Sequence, residues 1–387
     1  MFLAALLLPL AIAVVVLLIQ RLRLPAWAAL MLVVVGYGIA ASMTFQSIGR
    51  AFGQGFVAAL EQTGLLVVAG SIVGTLALGQ PLPRAAGIVG GVLGGLGGSA
   101  PAALALLQPA GRAVALALTL LIVHALVAPS PLAVAALSVM KADLGTTLAI
   151  ASPVAAIVIA AVWFLYRRDD ATGAWSWAWL AVALPLVLLV VQAIAQMPSE
   201  PLGKGGAREF YTGISRSLIL AVLAVALAML LSRRWQPALL ADTSWAPLLL
   251  AVGAAGGLAR VLDETGMAEL WAERVLDPRL GLLAPFLAAA IVKTLQGNSL
   301  SAVLTASGMV EPMLPALGLD SASGRALAAA AAGAGAIAIC HVNDPFFWIA
   351  SHMAGLAPLR ALRAIGLGSA AVALGALALL LIARLFV

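Results

Sequence analysis

His341, Asn343 and Asp344 stand in the stretch GAGAIAICHVNDPFFW, residues 333–348. There, glycine- and alanine-rich apolar sequence runs straight into ionisable side chains, then into Pro345 and three aromatic residues. Charge inside an apolar run is expensive, so an ionisable cluster there is a candidate functional site. Asp344 can take up and release a proton, and a histidine such as His341 titrates near neutrality when only mildly perturbed. Pro345 has no N–H for the preceding turn, so a helix reaching this point must end or break. Loose carbonyls, an imidazole, an amide and a carboxylate at membrane depth are tolerated only where they are buried in protein or line a cavity. The plainer role is a cap, with Asn343 or Asp344 at the start of a short helix and Pro345 in its first turn. The two roles are compatible.

Lys293 is embedded in the run LAAAIVKTLQGNSLSAVLTASG, residues 287–308. It either snorkels to an interface or holds an anionic ligand. The coincidence of charge and helix break favours the ligand, with Gly297, Asn298, Ser299 and Ser301 supplying donors where a half-helix presents its positive end. His124, in IVHALVAPSPLA, precedes the double break of Pro129 and Pro131. It is a second ionisable candidate, set against a histidine that merely packs. The glycines of GIVGGVLGGLGG, residues 87–98, read first as close helix packing through small faces and second as a backbone able to break, with Ser99 at its end as a polar contact. Lys141 and Asp143 read as a loop pair, and His352 as a residue without a role.

The elements that hold these residues belong to a membrane. Hydrophobic residues are 64% of 387 positions and charged residues 9%, against about 25% charged in ordinary soluble domains. Mean hydropathy is +1.13. This length accommodates roughly ten to twelve membrane elements, so the fold class is an all-α polytopic membrane protein. A net charge of +6 does not imply nucleic acid, because Arg and Lys sit at the ends of apolar runs, where topology explains them. One cysteine, Cys340, allows no disulfide framework and no metal-ligand spacing. No nucleophile elbow, phosphate-binding loop or His-Glu-x-x-His is present, so neither an enzyme nor a cofactor is expected. The N-terminal run lacks a basic leader region and reads as a retained first helix.

Expected spans are 2–20, 24–43, 64–79, 113–128, 145–166, 175–196, 214–231, 245–261, 281–295, 326–339 and 362–386, with broken or re-entrant segments at 87–101, 297–311 and 345–356. Basic pairs at Arg21/Arg23, Arg167/Arg168 and Arg233/Arg234, taken as cytoplasmic, put the N-terminus outside. The expected organisation is an N-terminal transmembrane helix over 1–21, a first membrane repeat over 22–196, a polar periplasmic linker over 197–211 and a second repeat over 212–387. Each half has a Gly/Ser-rich break (GGLGGSAPA; QGNSLSAV) followed by a His-then-Pro break, His124 with Pro129 and His341 with Pro345. Opposite span direction with the same order of breaks is the pattern of an inverted-topology repeat.

The run CHVNDPFFW, with GNSLSAVLTASGMVEPML, RVLDETGM and VHALVAPSPLAVAALSVMKADLGTTL, resembles the gluconate:proton symporter (gluconate permease) family of the ion-transporter superfamily. The resemblance implies proton-coupled uptake of a sugar acid or similar small hydroxycarboxylate across the bacterial inner membrane. It also implies a helical fold of inverted repeats with broken helices, an elevator-like motion and a homodimer. On that basis Ser99, Lys293, Gly297, Asn298, Ser299, Ser301 and Asn343 are expected at the substrate, and His124, His341 and Asp344 at the coupling ion. Lys293 stands where the family commonly has an arginine, Asn298 where it has a serine, and Ser130 where it has a second histidine. Gly98–Ala102 replaces an aromatic-acidic stretch, which leaves the substrate open. A sodium-coupled anion carrier is the alternative, and an intramembrane enzyme or a non-transporting scaffold are readings of a different class.

Overall fold

In hydrocarbon every backbone N–H and C=O must be satisfied within the chain, which leaves helix as the conformation for long runs of Leu, Ala and Val. The computed structural model describes residues 2–77, 83–110, 113–167, 176–232 and 243–387, and among them every regular element is a helix. Arg168, Arg233 and Arg234 of the orientation argument, and Gly79 and Trp175 at the ends of two expected spans, lie outside the described residues. Six described helices are long and apolar enough to cross a membrane, seven if a pair bent by 51° counts as one span. Four shorter apolar helices accompany them, so the expected ten to twelve elements are met only when these are included. The chain is a polytopic helical membrane protein.

In chain order, α1 (Phe2–Arg21) and α2 (Ala26–Ala40) lead into α3 (Phe45–Ala77). The helix α3 begins some twenty residues before the span expected from Gly64, because no proline interrupts the chain between Phe45 and that point. A broken sequence follows: α4 (Arg84–Leu96), α5 (Ala100–Leu106), α6 (Ala113–Leu126), α7 (Pro131–Val139) and α8 (Leu144–Leu165). After α9 (Leu180–Ala195) comes the stretch expected to be a linker. Its second part is instead helical, as α10 (Gly206–Ile214), which meets α11 (Ser217–Ser232) at the 51° bend. Glu200 ties the preceding turn to Lys204 and Arg208 at 3.3 and 3.4 Å.

The remaining helices begin with α12 (Ala246–Asp263) and the short α13 (Met267–Glu273). The broken sequence then recurs as α14 (Leu283–Gln296), α15 (Ser299–Val310), α16 (Ala322–Gly335), α17 (Pro345–Met353) and α18 (Pro358–Ala383), the last with a π-helical turn at Leu362–Gly366. The contacts between halves are reciprocal: α3 packs on α12, α5 on α17, and α15 on α7.

Two polar pairings differ from expectation. Asp143 does not pair with Lys141; it caps α8, accepting from the Thr146 N–H at 2.7 Å. Lys141 reaches Glu311 in the other half at 2.7 Å, and Arg325 approaches the same carboxylate at 3.7 Å. The hydrogen bond from Lys141 holds the Glu311 carboxyl below the usual glutamate range.

The glycine row 87–98 packs rather than breaks over most of its length. The helix α4 is regular to Leu96, and its glycine face meets α6 so closely that a Cβ on Gly95 would stand 2.5 Å from the Cβ of Val123. Gly95→Leu is therefore expected to push α4 off α6 and lower the thermal unfolding temperature of the purified protein in detergent by several degrees. A substitution at Gly36, which has open space, should leave it unchanged.

Candidate functional site

A glycine-asparagine-serine sequence inside an apolar run ends one helix and starts another. The helix α14 closes on Gly297 in the left-handed conformation, φ +73°, with its N–H donating to the Lys293 carbonyl at 2.8 Å. Asn298 is extended and caps α15, its Oδ1 accepting from the N–H groups of Leu300 and Ser301 at 2.9 and 3.1 Å. The second break spans residues 336–344. Asp344 caps α17, accepting from the Phe346 N–H at 2.8 Å, and Pro345 occupies the first turn.

The two breaks complete each other. The last carbonyls of α14 have no helical partner, and side chains of the second break supply it. His341 Nε2 donates to the Thr294 carbonyl at 2.8 Å, while Asn343 Nδ2 donates to Thr294 and Leu295 at 3.2 and 3.3 Å. Gly297 packs so tightly here that a Cβ would lie 2.5 Å from the Asn343 carbonyl oxygen. His341 Nδ1 and Asn343 Oδ1 are buried and make no hydrogen bond among the described residues.

Lys293 neither snorkels nor faces open space. It is 2% exposed, and its ammonium donates to Asp344 Oδ2 at 2.5 Å and to the Gly297 carbonyl at 3.0 Å. Cys340 Sγ approaches the same Asp344 oxygen at 3.2 Å. Asp344 thus acts as cap and ion partner together. It also lines a cavity of about 1180 Å³, which Lys293 does not reach; the lysine sits directly behind the wall.

That cavity gathers the expected residues of both halves. Ser99, His124, Gly297, Asn298, Ser299, Ser301 and Asp344 line it; Lys293, His341 and Asn343 stand behind. Four short helices, α5, α7, α15 and α17, begin at its wall with Ala100, Pro131, Ser299 and Pro345. His124 donates from Nδ1 to the Gly95 carbonyl at 3.0 Å, which leaves Nε2 as the acceptor of its ring. Ser130 is buried and caps α7, accepting from the Ala133 N–H at 3.2 Å and donating to the His124 carbonyl at 2.5 Å.

Sequence reasoning missed further lining residues. Gln192 of α9 and Gln196 just after that helix border the cavity, as do Arg208, Arg216, Arg260, Glu61 and Asp263. Gln296, 2% exposed, accepts from Ser301 Oγ at 2.8 Å and donates to Glu269 at 2.9 Å. Only the place of Gln296 beside the Gly297 break could have flagged it. Glu269 lies in a short helix, MAELWAE, where its carboxylate has no distinguishing spacing.

Residues 166–386 match the family model described as the GntP family permease. The high-affinity gluconate transporter of Escherichia coli is 25% identical over 267 residues, 61% of this chain and 59% of that protein. The low-affinity gluconate transporter of the same species is 32% identical over 109 residues, 28% of this chain and 24% of that protein. A gluconate permease of Pseudomonas aeruginosa is 26% identical over 114 residues, 28% of this chain and 25% of its own length. The chain thus spans about a quarter to three fifths of the length of these curated relatives.

Breaking a buried ion pair strands a charge and costs about 3–5 kcal/mol, whereas replacing both partners by apolar groups is often nearly neutral. Lys293→Met and Asp344→Leu should each lower the unfolding temperature markedly, and the double variant should recover much of the loss. Equal and additive losses would show that the pair is not coupled. Gly297→Ala should destabilise more than its left-handed φ alone demands, about 1–2 kcal/mol, because the Asn343 backbone blocks the added methyl.

Proposed function

The chain belongs to the GntP permease family, and from that premise we propose that it is a secondary transporter of a small hydroxycarboxylate, a sugar acid such as gluconate, driven by protons across the bacterial inner membrane. The observation that carries this reading is the convergence of four helix starts from both halves on one polar cavity. Helix N-termini present free N–H groups and a partial positive charge, which suits a carboxylate. Ser99, Asn298, Ser299 and Ser301 add hydroxyl and amide groups for the hydroxylated remainder of the ligand. Arginines in the cavity lining favour the approach of anions.

In this proposal Lys293 serves the anion from behind the wall. While Asp344 is ionised, it neutralises the lysine and turns a negative edge to the cavity. A proton on Asp344 would release the ammonium's charge to the site, so proton and anion would bind cooperatively and each would raise the affinity of the other. His124, with an acceptor nitrogen at the cavity, is the second proposed coupling group. His341 and Asn343 fix the two breaks relative to each other. The names of the gluconate-transporting relatives support the substrate class. The matching order of broken helices in the two halves, with reciprocal contacts, supports an inverted repeat whose boundary falls in the polar stretch 197–211.

Radiolabelled gluconate uptake into proteoliposomes tests the reading. An inward proton gradient should accelerate uptake at least several-fold over its absence, and a sodium gradient at fixed pH should not replace it. Asp344→Asn should abolish gradient-driven accumulation while sparing exchange of internal for external gluconate. No gluconate binding or uptake under any gradient would reject the substrate class.

A further inference from the structure

Glu269, on α13, is a carboxylate that the proposed mechanism does not use. Its Oε1 accepts from Gln296 Nε2 at 2.9 Å, and its Oε2 is buried without a hydrogen bond among the described residues. The Gln296 amide is thereby oriented, since an ionised carboxylate can only accept. Its other end, Oε1, accepts from the Ser301 hydroxyl at 2.8 Å. Ser301 lines the cavity with its hydrogen committed backwards, so it turns lone pairs to a ligand. It can accept from a ligand hydroxyl, but it repels a carboxylate.

We propose that Glu269 is a proton-binding site that sets, through the Gln296 amide, whether Ser301 offers the ligand a lone pair or a hydrogen. The inference rests on the reading of this cavity as an anion site. A protonated Glu269 carries a hydrogen that needs an acceptor, and among the described residues the one hydrogen-bond partner of its side chain is the Gln296 amide. Rotating that amide by half a turn presents Oε1 to Glu269 and Nε2 to Ser301. Gln296 then donates to Ser301 Oγ, and the Ser301 hydrogen is free to donate to a carboxylate in the cavity. No bond other than O–H is made or broken, and one proton is taken up.

Charged groups stand on α13 itself and on the helices α12 and α14 packed against it. Glu273 lies on its own helix, and Arg274 follows it. Of the elements packed on α13, α12 carries Arg260 and Asp263, which pair with each other at 2.5 Å, and Arg260 also reaches Glu264 at 3.5 Å. Lys293 on α14 is turned to Asp344. The sequence of α15 has no ionisable side chain. Because Glu269 acts through Gln296, it is a positioning residue.

The test is the pH dependence of gluconate affinity for the purified full-length protein, in the wild type, Glu269→Gln, Ser301→Ala and the double variant. Wild-type affinity should rise as pH falls. Glu269→Gln, which folds the same hydrogen-bonding shape but cannot titrate, should shrink that rise by about tenfold, an ordinary coupling factor. Ser301→Ala should shrink it equally, and the double variant no further. A wild-type pH profile in Glu269→Gln, or additive effects in the double variant, would overturn the proposal. If the wild type binds no gluconate, the infrared difference spectrum between mildly alkaline and mildly acidic pH decides. A carboxylic-acid band lost in Glu269→Gln would uphold the proton site while rejecting the sugar-acid reading. Identical spectra would reject the site itself.

Discussion

Everything near the cavity depends on one buried contact, the ammonium of Lys293 against the carboxylate of Asp344. Neither charge can stand alone at that depth, since an unpaired ion in a dry interior costs several kcal/mol. The contact fixes more than charge. Lys293 lies one turn before the Gly297 break and Asp344 ends the second break, so pairing them sets two interrupted helices at one height. The remaining polar groups follow from that placement. Thr294 and Leu295 offer carbonyls where α14 ends, and His341 and Asn343 come into reach because Asp344 has been drawn in.

The same economy of unsatisfied backbone explains why the cavity is where it is. A helix that stops inside a membrane leaves N–H groups on the next helix without partners. Asn298, Ser130 and Asp344 each answer part of that demand with a side-chain oxygen at the start of α15, α7 and α17. Ser99 has the place of a cap at α5 but makes no such bond. What these caps leave over is positive potential directed at a common space. Under the proposed function, an anion in that space would complete the helix starts as a cap would, which links fold to function without any added catalytic group.

Much of this was legible in the sequence for a physical reason. Charge and proline or glycine inside apolar runs have few tolerable explanations in a bilayer, so CHVNDP and KTLQGNS announced themselves. Their partnership did not. That Lys293 faces Asp344 rather than a ligand follows from two segments fifty-one residues apart meeting in space, and nothing in either segment's spacing encodes it. The start of α3 was missed because hydropathy marks only the stretch apolar all round, while Phe45–Gly64 is polar on one side and apolar on the other. The helix in 197–211 was missed for the same reason, as a short amphipathic segment among turns. Glu269 was invisible because a carboxylate in a helix of seven residues looks solvated until its neighbours are known.

The segment Gly98–Ala102 shows how the missing pieces constrain one another. The resemblance to gluconate permeases leads one to expect an aromatic-acidic stretch there, and this chain has GSAPA. The space is not empty: Gln192 of α9 sits so close that a Cβ on Gly98 would lie 3.1 Å from its Oε1. A larger side chain at Gly98 would require the Gln192 amide to give way by a few tenths of an ångström. At this wall the cavity is bordered by the amides of Gln192 and Gln196. An amide can donate as well as accept, so this end of the cavity tolerates a ligand's carboxylate or carbonyl where a fixed carboxylate would demand hydroxyl donors. Under the proposed function, a cavity lined by helix starts and amides would discriminate less by hydroxyl pattern than one walled by an acid, and short hydroxy acids would fit that proposal as well as a six-carbon sugar acid.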